Sequence, residues 1–168
     1  MASLYVSLKE SLTGIKSLII LGAGSELKSD DAAGVAITNN LIDIYGEDRQ
    51  ENLKVYSGNT APENYTGLIK RFKPEHVIII DAADINEEPG SAMIIDPCVV
   101  SGVSFSTHML PLKVMIEYIK KDVGCNITII GIQPQDLSFA GEMTPKVREA
   151  VMDVTEVLIK LISVLKLV

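Results

Sequence analysis

Three residues that lie far apart in the chain have the right types to act together: Asp31, Asp81 and His108. Asp31 ends the adjacent pair Asp30-Asp31, just past a Gly22-x-Gly24 turn. Asp81 directly follows His76-Val-Ile-Ile-Ile80, the strongest apolar run, and His108 follows Ser106-Thr107. Two carboxylates and an imidazole form an oxygen/nitrogen donor set suited to a borderline divalent ion such as nickel, manganese or zinc, with coordination positions left open. Two neighbouring carboxylates beside a glycine turn are costly to hold together, so a cationic group is expected nearby for at least part of the time. The same residues also have a structural reading, in which Asp31 caps a helix, Asp81 ends a strand and His108 caps another helix. Asp30 is expected to be the helix-start partner, His76 to be incidental at the head of a buried strand, and Asp84 to be a loop or supporting residue.

These side chains need elements to position them. Leu18-Ile-Ile-Leu21 running into glycines reads as a buried strand of a parallel sheet that feeds a crossover helix. Ligands in such sheets bind in the crevice beyond the carboxyl ends of the strands, where Asp31 and Asp81 can converge. Apolar spacing predicts helices over 3–12, 30–45, 61–72, 109–123 and 144–167, and strands over 51–56, 76–80, 91–95 and 126–132. Ser29, Asp30 and Asp31 are good residues for starting the second helix, and Thr144-Pro145 has the cap-then-proline pattern for the last. Residues 82–89, 98–107 and 133–141 read as loops. The turn at Pro89-Gly90 is expected to join two nearby strands, which would make one of them antiparallel.

The expected fold is therefore a single α/β domain over 1–168: a three-layer sandwich whose mostly parallel, twisted, five-stranded sheet has one antiparallel strand and helices on both faces. Residues 1–14 add a short helical extension, with Leu4, Leu8 and Leu12 at helical spacing.

Composition narrows the function. The 168 residues suit one domain with a full core, and 47% hydrophobic with 22% charged residues is ordinary for a globular protein. A net charge of −7 argues against nucleic acid or an anionic membrane as the main partner. Cys98 and Cys125 stand in no CxxC pattern, which fits a reducing cytosol. Neither a signal peptide nor a membrane-spanning run is visible, so the expected location is cytoplasmic.

Other chemistries fit less well. The dinucleotide fingerprint needs a third glycine and an acidic residue ending the second strand; this chain has Leu27 and Ser57 there, and it lacks a Walker-type Lys-Ser/Thr pair. The glycines serve a tight turn instead. Ser25, Ser29, Ser104 and Ser106 lie in no G-x-S-x-G elbow, and neither Asp31 nor Asp81 is followed by the Thr-Gly pair of pepsin-like proteases.

Taken together, four segments resemble the hydrogenase maturation endopeptidases, which process nickel–iron hydrogenases. Residues 21–34 match that family's G-x-G-N…D-[DE]-x-x-G motif. Asp81-Ala-Ala-Asp84 with Pro89-Gly90 matches its D-A…P-G motif, Ser106-Thr-His108 its S/T-T-H motif, and Gly131-Ile-Gln-Pro134 its G-I-Q-P strand end. Ala61-Pro-Glu-Asn64 and Ile95-Asp-Pro97 look like the subgroup that serves hydrogenase 3 of formate hydrogenlyase. The chain departs from the pattern at Ser25 (usually asparagine), Ala32 (often glycine) and Asn86 (often glycine).

The resemblance implies an aspartic-type endopeptidase that removes the C-terminal peptide from a nickel-loaded large-subunit precursor. Asp31, Asp81 and His108 would recognise nickel brought in by the substrate, and Asp31 and Asp81 would be the catalytic candidates. That precursor would be its partner, and the polar surface and small size make a monomer the expected state. A non-cleaving nickel or precursor chaperone using the same residues is the alternative.

Overall fold

The computed structural model describes residues 1–96, 104, 105 and 109–168. His108 and most of 98–107 lie outside the described residues. The elements run α1 (Ala2–Ser11), β1 (Leu18–Ala23), a 3-10 turn (Ser29–Ala32), α2 (Ala33–Tyr45) and β2 (Leu53–Asn59). A second 3-10 turn (Pro62–Tyr65), α3 (Thr66–Phe72), β3 (His76–Asp84), β4 (Ala92–Ile95), β5 (Ser104–Phe105), α4 (Met109–Asp122), β6 (Asn126–Ile132) and α5 (Pro145–Leu165) follow.

The main sheet has the order β2-β1-β3-β6-β4. The first four strands are parallel, and β4 pairs antiparallel with β6. Strands covered on both faces are expected to carry continuous apolar runs, and β1 (Leu18–Ala23) and β3 (Val77–Ile80) do, while β6 is apolar apart from Asn126 and Thr128. Their side chains alternate between two cores. Leu18, Ile20, Ile78, Ile80, Ile130 and Ile132 face one layer with α1, α2 and α5; Leu4, Leu8 and Leu12 of α1 belong to it. Ile19, Leu21, Val77, Ile79, Ile127 and Ile129 face the other, with Ile69 of α3 and Leu112, Met115, Ile116 and Ile119 of α4. This is the expected three-layer sandwich with one antiparallel strand.

The strand after the Pro89-Gly90 turn, β4, is the expected antiparallel edge strand, and its partner is β6, which forms much later in the chain and lies between β3 and β4. Two local expectations need correction. β3 does not end at Asp81: β6 continues to pair with it through Ala82, and the two-residue β5 pairs antiparallel with Ala83 and Asp84. Non-local pairing thus extends β3 into residues that locally read as loop. The 30–45 and 61–72 helices each open with a 3-10 turn before the α-helix begins.

The order of the sheet locates a crevice. From β1 the chain crosses through α2 to β2 on one side, then through α3 to β3 on the other. The carboxyl ends of β1 and β3 therefore flank the point where strand order reverses, the usual ligand site of open α/β sheets.

Candidate active site

The 3-10 turn that leads into α2 delivers Asp31, and the end of β3's apolar run delivers Asp81. Both are shielded from solvent, at 0% and 1% exposure. Gly34, in the first turn of α2, sets their relation. A Cβ there would collide with the carbonyl oxygens of both Ala23 and Ile80, so only glycine lets the helix start press onto the two strand ends. Asp31 lies one turn before that contact and Asp81 one residue beyond Ile80. The structure thus places both predicted aspartates on one crevice. Among the described residues, no group of three or more His, Cys, Asp or Glu side chains is close enough to hold a metal. His108, the third member of the predicted set, lies outside the described residues.

Asp31 is oriented by the backbone. The Ser25 amide donates to its Oδ2 at 3.0 Å, and the Asp31 amide donates to the Lys28 carbonyl at 2.8 Å. Gly24 makes this loop possible: its φ is +134°, and a Cβ would overlap the Asp31 carbonyl. Ser25, where the resembling family has asparagine, is mostly buried and contributes here through its main chain, while its hydroxyl accepts from the Leu27 amide at 3.3 Å.

Asp30 corrects the sequence reading. Neither Asp30 nor Asp31 caps α2, whose N-cap is Ala32 with no side-chain cap bond. Asp30 turns towards the loop after β6. Its carboxylate accepts from the amides of Gln135 (2.8 Å), Asp136 (2.9 Å) and Thr144 (2.7 Å) and from the Thr144 hydroxyl (3.0 Å). Its own amide donates to the Asp136 carbonyl at 3.1 Å. Such charge-assisted bonds are the strong kind. Thr144, placed as expected at the N-cap of α5 ahead of Pro145, spends its hydroxyl on Asp30 rather than on its helix.

Gln133, at the end of β6, was quoted in a motif but given no role. Its Oε1 accepts from the amides of Ile85 (2.8 Å) and Glu87 (3.3 Å), and its Nε2 donates to Asp84 Oδ1 at 3.4 Å. Gln133 therefore holds the loop that follows Asp81. Asp84, expected to be a supporting residue, is exposed and also accepts from the Asn86 amide at 3.2 Å. Asn86 occupies a position with φ +58°, where glycine is common in the resembling family.

His76, read as incidental, stands at the opposite end of β3 and takes no part in this site. It is buried at 2% exposure, with Nε2 hydrogen-bonded to the Thr128 hydroxyl at 2.8 Å and Nδ1 without a partner. Burial lowers its pKa to about 4, so the ring is neutral.

A crevice holding two buried carboxylates on fixed backbone can present oxygen ligands to a divalent ion or take a proton from water. Comparison with known proteins shows the family. The family model described as hydrogenase maturation protease matches residues 35–161. A Methanocaldococcus jannaschii protein provisionally named a hydrogenase maturation protease is 35% identical over 164 residues, 95% of this chain and 96% of its own. The hydrogenase 3 maturation protease of Escherichia coli K12 is 31% identical over 134 residues, 79% of this chain and 83% of its own. The crystal structure of the [NiFe] hydrogenase maturation protease HycI from Thermococcus kodakarensis superposes with a TM-score of 0.84 at 29% identity, covering 94% of this chain and 99% of that one. With the fold, the paired aspartates and these matches in agreement, the chain is a peptidase that belongs to the hydrogenase maturation protease family.

Proposed function

We propose that this peptidase cuts the C-terminal peptide from the nickel-loaded precursor of a nickel–iron hydrogenase large subunit. The observation that carries the reading is the pair of buried carboxylates at the switch point of the sheet: Asp31 on the 3-10 turn that leads into α2, and Asp81 on β3, the strand beside β1. Nickel belongs to the substrate. Asp31 and Asp81, with His108, offer a partial oxygen/nitrogen set that takes up open positions on the substrate's metal and so tests whether the precursor is loaded. An apo precursor lacks that binding energy and is passed over. A carboxylate held beside the scissile carbonyl is placed to accept the proton of the attacking water, which makes the enzyme aspartic in type. Likeness to a hydrogenase 3 maturation protease supports a substrate of that class. The reading includes a monomeric, cytoplasmic enzyme. Among the described residues, no helix is long and apolar enough to cross a membrane.

The test is mass spectrometry of the precursor's C-terminus after incubation with the enzyme. The expected result is a shortened chain from the nickel-loaded precursor and an intact one from the apo form. Asp31→Ala and Asp81→Ala are each expected to slow cleavage on the order of 10²–10⁴-fold. Undiminished cleavage by both variants would discard the assigned site. An intact tail at nickel saturation would leave a binding role without proteolysis.

A further inference from the structure

The two aspartates stand on different pieces of chain, and one short segment is hydrogen-bonded beside both. Gln135 and Asp136 give their amides to the Asp30 carboxylate, which fixes the 3-10 turn that bears Asp31. Two residues earlier, Gln133 follows the Ile132–Ala82 pair at the end of β6 and turns its side chain to the loop after Asp81. Its main chain secures the far end of that loop. The Gln133 amide donates to the Ser91 carbonyl at 2.8 Å, and the Gly90 amide donates to the Gln133 carbonyl at 2.9 Å. Residues 133–136 therefore link the turn of Asp31 to the strand end of Asp81, in addition to the pairing of β1 with β3.

The chemistry of the Gln133 side chain suits this place. Its Oε1 faces the amides of Ile85 and Glu87, and its Nε2 faces Asp84 Oδ1 and, at 3.3 Å, the Pro134 carbonyl. One orientation of the side-chain amide satisfies all four contacts, because the first two partners donate and the last two accept. A carboxylate in the same place would serve the donors and oppose Asp84, and an apolar residue would serve neither. Asp84, Asn86, Glu87 and Glu88 of this loop are exposed, so side-chain burial does little to order it.

We propose that Gln133 is a positioning residue for cleavage: holding Asp84 and the 85–91 loop on one side, and continuous with the Gln135 and Asp136 amides on Asp30 on the other, it sets the placement of Asp81 relative to Asp31. This rests on the two aspartates being the cleaving pair, as proposed above. Gln133 acts through the pieces of chain that carry them, so its loss is expressed in the chemical step and not in affinity for the precursor. Displacing a reacting group by about 1 Å costs on the order of 10²-fold in rate.

The experiment compares the full chain with Gln133→Glu and with Gln133→Glu/Asp84→Asn. The paired variant keeps the wild-type net charge and reverses the bond, the new amide at 84 donating to the new carboxylate at 133. Cleavage of the nickel-loaded precursor is followed by mass spectrometry. Rates are expressed per folded molecule, with the folded fraction read from urea unfolding, so a merely structural role leaves kcat unmoved. The expected result is a tenfold or greater fall in kcat for Gln133→Glu with KM within about twofold, and a recovery of about fivefold or more in the paired variant. The NMR signal of the Ser25 amide, which donates to Asp31, should shift in Gln133→Glu and return in the paired variant. A wild-type kcat for Gln133→Glu would overturn the assignment, as would a paired variant no faster than the single one. If Gln133→Glu does not fold, Gln133→Asn, which keeps both groups one carbon short, takes its place, and a wild-type kcat there overturns the assignment. A wild type that leaves the precursor intact would sink the cleavage reading, and the Ser25 signal would then decide the positioning by itself, an unmoved signal overturning it.

Discussion

β3 carries an ionisable side chain at each end of its apolar run, and the two ends bury them differently. At the carboxyl end, loops from three parts of the chain aim backbone amides at carboxylates: four donors reach Asp30, and the Ser25 amide reaches Asp31. At the amino end, buried His76 meets one hydroxyl, leaves Nδ1 without a partner, and stays neutral. Donors converge on the carboxylates at one end, whereas at the other burial without a full set of partners holds the imidazole in its neutral form. The difference separates an end where donors converge on carboxylates from an end built for packing.

The sharpest way to break the carboxyl end is Gly34→Ala. The added methyl meets two backbone carbonyls that cannot move aside, so a loss of about 4 kcal/mol in urea unfolding is expected, together with loss of cleavage. Asp30→Ala comes next, at about 3 kcal/mol, because it leaves the amides of Gln135, Asp136 and Thr144 without their acceptor. Asp30→Asn keeps an acceptor oxygen and should cost less.

At the other end the lever is pH. With its pKa lowered from 6.5 to about 4, His76 binds fewer protons folded than unfolded between those values. Its contribution is complete above pH 6.5 and is lost as pH falls towards 4, amounting to about 3 kcal/mol. Subtracting the pH profile of His76→Leu from that of wild type isolates it, and identical slopes would show that the ring carries no such penalty. The smallest effect expected is from Thr128→Val, about 1 kcal/mol at neutral pH, from the loss of the His76 hydrogen bond.

What the sequence revealed follows the range of the forces involved. Helix stripes such as Leu112, Met115, Ile116 and Ile119, and the double-sided apolar strands, are local patterns, and the structure buries them as read. Asp31 and Asp81 could be placed on one crevice because parallel strands share a carboxyl edge. Asp30 was misread because its partners lie more than a hundred residues away, and an Asp beside a helix start gives the same local signal whether it caps or ties down a distant loop. The partner of β4 was not legible for the same reason, since nothing between Pro89 and Ile95 announces that β6 will pair with it.

The insertion of β6 between β3 and β4 has a consequence for how the enzyme comes into being. A chain emerging from the ribosome presents Asp31, Asp81 and β4 well before the strand that β4 pairs with, and before residues 135–144 can tie down the Asp30 turn. The edge that carries Asp31 and Asp81 is therefore assembled late in synthesis. A nascent chain has these acidic residues before it has their geometry, which needs residues 126–144 and the core that α5 completes.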